Sequence, residues 1–171
     1  MSKRSKILLL SALWIVTFVV AFGFLMPQRL VNPVVGANAN DWNKDSYWFA
    51  PWGDSGVHKG IDIFKKRGTA VVAASSGIVV YRGQLKLGGN VVIILGPKWR
   101  MHYYAHMDSI NLRNGKVVSA GDNIGTDGNS GNAAGKVPNM HFVIQSLVPY
   151  TRRYRSGTQG WQRMFDLDPG E

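Results

Sequence analysis

The chain has 171 residues, with 20 Lys+Arg against 10 Asp+Glu and a formal charge of +10 near neutral pH. That balance selects anionic partners, whether nucleic acid, acidic lipid or acidic polymer, and does not choose among them. The lack of cysteine excludes disulfides and Cys-ligated zinc, Glu171 as the sole glutamate excludes an internal Glu base, and 20 glycines favour a turn-rich β architecture over long exposed helices.

No residue from Ile7 to Met26 is charged. About 20 residues at roughly 1.5 Å each cross a hydrocarbon core of about 30 Å as a helix. Lys3, Arg4 and Lys6 precede this run, so the positive-inside rule places residues 1–6 in the cytoplasm, makes 7–26 a transmembrane anchor, and puts the rest in the periplasm or cell envelope. A cleaved signal peptide is the competing reading, helped by Ala37 and Ala39 flanking Asn38. The apolar run is longer than the roughly 7–15 residues usual for such signals, and the Ala pair lies far downstream. An extracytoplasmic domain argues against a nucleic-acid partner.

Residues 27–48 mix Asn, Pro, Gly and Asp without apolar periodicity and read as a tether. The predicted domain, 49–148, carries short β-branched runs at Thr69–Ala73, Ile78–Arg82, Val91–Leu95, Met101–His106 and His141–Leu147. Turn chemistry separates them, at Ser76-Gly77, Gly88-Gly89-Asn90, Asn114-Gly115, Ala120-Gly121-Asp122 and Asp127-Gly128. The expected fold is mostly β, an antiparallel two-sheet or barrel-like domain behind one transmembrane helix. The tail 149–171 is basic at Arg152, Arg153 and Arg155, then semi-apolar at Trp161, Met164, Phe165 and Leu167, a spacing that suits a helical turn or two packed on the domain.

His58 and Asp62 stand four residues apart in His58-Lys59-Gly60-Ile61-Asp62, and both are zinc-ligand types. A straight strand would hold them about 13 Å apart, so one ion could join them only across a bend, which Gly60 permits. A solvated pair on a surface loop is the alternative. His141 opens an otherwise apolar strand, and a strand histidine is commonly structural. Yet His58, Asp62 and His141 together make three ligands with a fourth position left for water, the composition of a catalytic zinc site. His106, in Tyr103-Tyr104-Ala105-His106, is then a candidate beside the reacting centre. His102 shares its strand face by period two and could line a groove or be structural.

The runs His58-Lys59-Gly60-Ile61-Asp62-Ile63-Phe64, Gly68-Thr69-Ala70-Val71-Val72-Ala73-Ala74, Gly77-Ile78-Val79, Gly89-Asn90-Val91-Val92-Ile93, Tyr104-Ala105-His106, Gly121-Asp122-Asn123-Ile124-Gly125, Gly128-Asn129-Ser130-Gly131 and His141-Phe142 stand in the order of the lysostaphin/LytM-type zinc metallopeptidases, which residues 49–148 resemble. The resemblance implies a barrel-sandwich hybrid fold, zinc held by His58, Asp62 and His141, catalytic assistance from His106, and hydrolysis of peptide or cross-link amides in peptidoglycan. Where that family carries a second catalytic His, this chain has Asn139. An asparagine can donate to a developing oxyanion but cannot take a proton near neutral pH. The resemblance therefore admits two functions: a membrane-anchored zinc endopeptidase, or a zinc-retaining wall-binding or regulatory domain that cuts weakly or not at all. The basic surface suits anionic lipid or wall polymer alongside either.

Overall fold

The computed structural model describes residues 2–170. Helix α1, Lys3–Leu25, is capped by the Ser2 hydroxyl, which accepts the Ser5 N–H at 3.1 Å. Pro27 ends it, since proline cannot supply the next helical N–H. Apolar side chains from Ile7 to Leu25 stand exposed around the helix, and Gly23 is its single buried residue. By length and composition α1 can cross a membrane.

The rest is built on two antiparallel sheets, the expected two-sheet architecture. The strands are β1 Ile61–Phe64, β2 Ala70–Val72, β3 Gly77–Leu85, β4 Gly89–Gly96, β5 Arg100–Met107, β6 Ser109–Ile110, β7 Val117–Val118, β8 Asn123–Thr126, β9 Asn139–Ser146 and β10 Asp166–Leu167. The larger sheet runs β1-β9-β5-β4-β3-β7, with β10 also on β9, and the smaller runs β2-β8-β6. Each of the five predicted strands overlaps an observed one. The five missed ones are short: β1 and β8 hold four residues and β6, β7 and β10 two each, too few for a period-two pattern to stand out.

Alternation divides the large sheet into two faces. On β9, Met140, Phe142 and Ile144 enter the core with Ile61 and Ile63 of β1 and Tyr104 of β5. Asn139, His141, Val143 and Gln145 face the other way and line a groove. The core is closed from the small-sheet side by Val71 and Ile124, both without solvent exposure, and the Tyr104 hydroxyl accepts the Ala74 N–H at 2.8 Å.

Residues 27–48 differ from the expected tether because they are packed on the domain. The Val31 and Val35 N–H groups donate to Ala74 and Ala70 at 2.9 and 3.0 Å, Val72 donates to Pro33 at 2.8 Å, and Val34 belongs to the core. An ion pair of 2.9 Å between Lys65 and Asp41 fastens the far end. Single bridges and Asx turns hold this segment, and neither has a sequence period. The tail supplies two 3-10 turns, Thr151–Arg153 and Gln162–Met164, and then β10, which pairs Asp166 with Gln145.

Candidate metal centre

The antiparallel register sets Asp62 directly opposite His141. His58 lies just before β1, and the chain between them bends at Gly60 as the spacing required. Gly60 does so by close approach, since a Cβ there would stand 2.2 Å from the Phe142 carbonyl oxygen. Three ligand atoms meet as a result. His58 Nε2 is 3.2 Å from His141 Nδ1, His141 Nδ1 is 2.7 Å from Asp62 Oδ1, and His58 Nε2 is 3.3 Å from the same oxygen.

The His58 Nδ1–H donates to the Ser46 carbonyl at 3.0 Å, which leaves the Nε2 lone pair directed at the cluster. Burial opposes the Asp62 charge, but the hydrogen bond from His141 and the neighbouring His58 imidazole outweigh it and hold the carboxyl well below the ordinary carboxylate range. Asp62 is thus anionic at any physiological pH. Two imidazole nitrogens and a carboxylate oxygen are zinc donors, and a tetrahedral ion with bonds of about 2.0–2.1 Å sets its ligand atoms about 3.3 Å apart, close to the observed triangle. The donor set fits zinc.

His106 stands across the cluster, its ring centroid 6.0 Å from that of His141. It reaches the groove by an exceptional torsion. Tyr103 and Ala105 alternate toward the groove and His102 and Tyr104 away from it, so regular alternation would bury His106, but its φ of +64° turns the side chain back. The shared face expected for His102 and His106 is therefore incorrect. His102 is fully buried and stacks on Phe142 at 6.1 Å, and burial together with the Arg100 charge lowers its pKa to about 4. It is structural.

The His106 N–H donates to Gly88 at 2.7 Å and its Nδ1–H to the Ser130 carbonyl at 2.9 Å, which leaves Nε2 as an acceptor. Burial lowers the His106 pKa and keeps the ring neutral near pH 7. Asn139, 7% exposed, lines the groove and donates one amide N–H to the Val137 carbonyl at 2.9 Å.

The groove encloses about 670 Å³. Sequence reasoning missed two of its walls. Trp52 stacks on the His58 ring at 4.2 Å, and Tyr103 meets His141 edge-on at 6.3 Å. Nothing local marks Trp52, which sits in an irregular loop, whereas Tyr103 could have been found by alternation along β5. Lys59 and Lys136 also line the groove, so its charge balance is not set by Asp62 alone.

Known proteins resemble this chain in sequence and in fold. The chain is 36% identical over 115 residues to the uncharacterized lipoprotein YgeR of Escherichia coli, covering 66% of this chain and 45% of that protein. It is 37% identical over 106 residues to the murein hydrolase activator NlpD of Salmonella dublin, covering 61% and 27%. The chain thus spans less than half the length of these relatives. Among solved structures, the catalytic domain of lysostaphin from Staphylococcus simulans superposes with a TM-score of 0.58 at 29% identity, covering 72% of this chain and 85% of that one. Residues 56–153 match Peptidase family M23, a zinc-dependent family, and the chain belongs to it as a protein of the lysostaphin/LytM type.

Proposed function

We propose that this chain is a membrane-anchored zinc endopeptidase that hydrolyses peptide or cross-link amides of peptidoglycan outside the cytoplasm. The convergence of His58, Asp62 and His141 opposite His106 carries the reading. His58, Asp62 and His141 would hold a zinc ion, which when bound would supply a Lewis acid for the scissile carbonyl and lower the pKa of a water. His106, neutral and with Nδ1–H committed to Ser130, offers Nε2 to accept the water proton and return it to the leaving amine. Asn139 lies two residues before His141 on the same face of β9, and its remaining amide N–H can donate to the developing oxyanion. Trp52 packs over His58 and restricts rotation of that ligand.

Digestion of purified cell walls tests this proposal. The wild-type chain is expected to release soluble fragments, and Asp62→Ala to release none. Walls left intact by the wild type but co-sedimenting with it would support a second reading, a wall-binding or regulatory domain. Asn139 favours that reading, because it cannot serve as a second base.

Anchoring through α1 belongs to the same proposal, with Lys3, Arg4 and Lys6 on the cytoplasmic side. A reporter fused after Glu171 should be active only outside the cytoplasm, and a mature chain starting near Asn40 would overturn the anchor.

A further inference from the structure

The turn between β4 and β5 is joined to α1 in a way the metal centre does not require. Gly23 is buried because the Trp99 indole lies on it: a Cβ on Gly23 would stand 2.2 Å from Trp99 Cε2. The indole N–H donates to the Val20 carbonyl at 3.0 Å. Lys98 and Trp99 both adopt left-handed torsions, φ +60° and +55°, to present the indole this way. Non-glycine residues keep such conformations only where the surroundings fix them.

Just past the helix, Gln28 is held from two sides. Its side-chain oxygen accepts from Arg100 at 2.5 Å, and its amide lies 3.2 Å from His102 Nε2. Arg100 also donates to the Tyr150 hydroxyl at 3.2 Å, and the Leu147 N–H donates to the Trp99 carbonyl at 2.9 Å. The end of α1 is thus fastened to one end of the large sheet.

Val20 lies inside the apolar run, about 9 Å short of its Met26 end at roughly 1.5 Å per residue. With α1 spanning a bilayer, the Trp99 ring, lying on Val20 and Gly23, falls about 5–9 Å inside the hydrocarbon edge that Met26 marks, and the turn that carries it reaches the headgroup boundary. Leu147 and Val148, 50% and 36% exposed, adjoin it. Arg29 and Arg152 are exposed on the segments beside the helix exit, and Lys98 is half-buried at the tip of the turn. Apolar groups near the acyl boundary with cations around them match an anionic membrane surface.

We propose that the β4–β5 turn, led by Trp99 and Lys98 and flanked by Leu147 and Val148, seats in the outer interface of an anionic bilayer and fixes the domain against the membrane. This rests on the anchor reading of α1. The pairing of Arg100 with Ser146 and of Ala105 with His141 then sets the metal centre about 17 Å along β5 from the seated end, at roughly 3.4 Å per residue. The groove would meet wall strands at a set height above the membrane.

The cysteine-free chain allows a direct test. Full-length protein with a single nitroxide at Lys98→Cys, Lys86→Cys or Leu13→Cys is reconstituted into vesicles containing phosphatidylglycerol, and collision with oxygen is compared with collision with a water-soluble nickel chelate. Lys86 is exposed in the hairpin between β3 and β4, at the opposite end of the sheet. The expected result is chelate access lost at positions 13 and 98 and retained at 86, with position 98 regaining it when Trp99→Ala is added. Protection at 13 with free chelate access at 98 would overturn the seating while leaving the anchor intact, and chelate access at 13 would overturn both.

Discussion

His106 shows how one torsion changes what a strand can do. Its φ of +64° moves an imidazole from the core face of β5 to the groove, and the carbonyls of Ser130 and Gly88 hold it there. Replacing it removes an acid/base group and no proposed ligand, so His106→Ala should lower wall hydrolysis by about 10²–10⁴ while zinc stoichiometry stays unchanged. Asn139→His should act in the opposite direction and increase the release of soluble fragments. Asp127 bears on stability instead. It is fully buried, and burial raises its carboxyl from an ordinary 3.8 to about 7, with the Gly128 N–H only partly opposing the shift. Between those values the native state keeps a proton that the unfolded chain has released, so stability falls as pH rises through that window. Asp127→Asn should therefore be more stable than wild type at pH 8 by at least about 1 kcal/mol, with the difference vanishing near pH 4 in thermal unfolding.

At the scale of elements, β9 is the spine of the site. It carries Asn139 and His141, pairs with β1 to bring in Asp62, and pairs with β5 to bring His106 into range. That pairing depends on the absence of a side chain at Gly60, where β1 approaches the Phe142 carbonyl. Gly60→Ala should cost about 2 kcal/mol or more in denaturant unfolding and should lower zinc retention, because His58 and Asp62 flank the displaced residue. β9 was legible as an apolar run opened by His141, and the need for a bend at Gly60 followed from strand geometry. The register that sets Asp62 opposite His141 had no local signal, because 79 residues separate them along the chain.

For the molecule as a whole, the ligands come from two segments far apart in sequence, so an ion that joins them ties the loop before β1 to the centre of the sheet. A metal that binds only the folded chain stabilises it by about 2.7 kcal/mol at a free concentration 100 times its Kd. Addition of zinc should raise Tm in the wild type, chelation should reverse the gain, and Asp62→Ala should show neither effect. The helix and the segment 27–48 belong to the same assembly, because Trp99 holds the first and the edge of the small sheet holds the second.

Residue types and spacing by themselves determined an apolar segment long enough to span a bilayer and a glycine-punctuated β domain, and they offered His58, Asp62, His141 and His106 as candidates that the family resemblance grouped into one site. The span and the strands follow from hydrophobic length and β-branched runs and the candidates from donor chemistry, all of which are local. Tertiary structure alone decided that residues 27–48 pack on the domain, that His102 is buried while His106 faces the groove, and that Trp52 covers His58. Each of these depends on a left-handed torsion, an isolated bridge or a contact between distant segments, and none of those leaves a periodic trace in the chain.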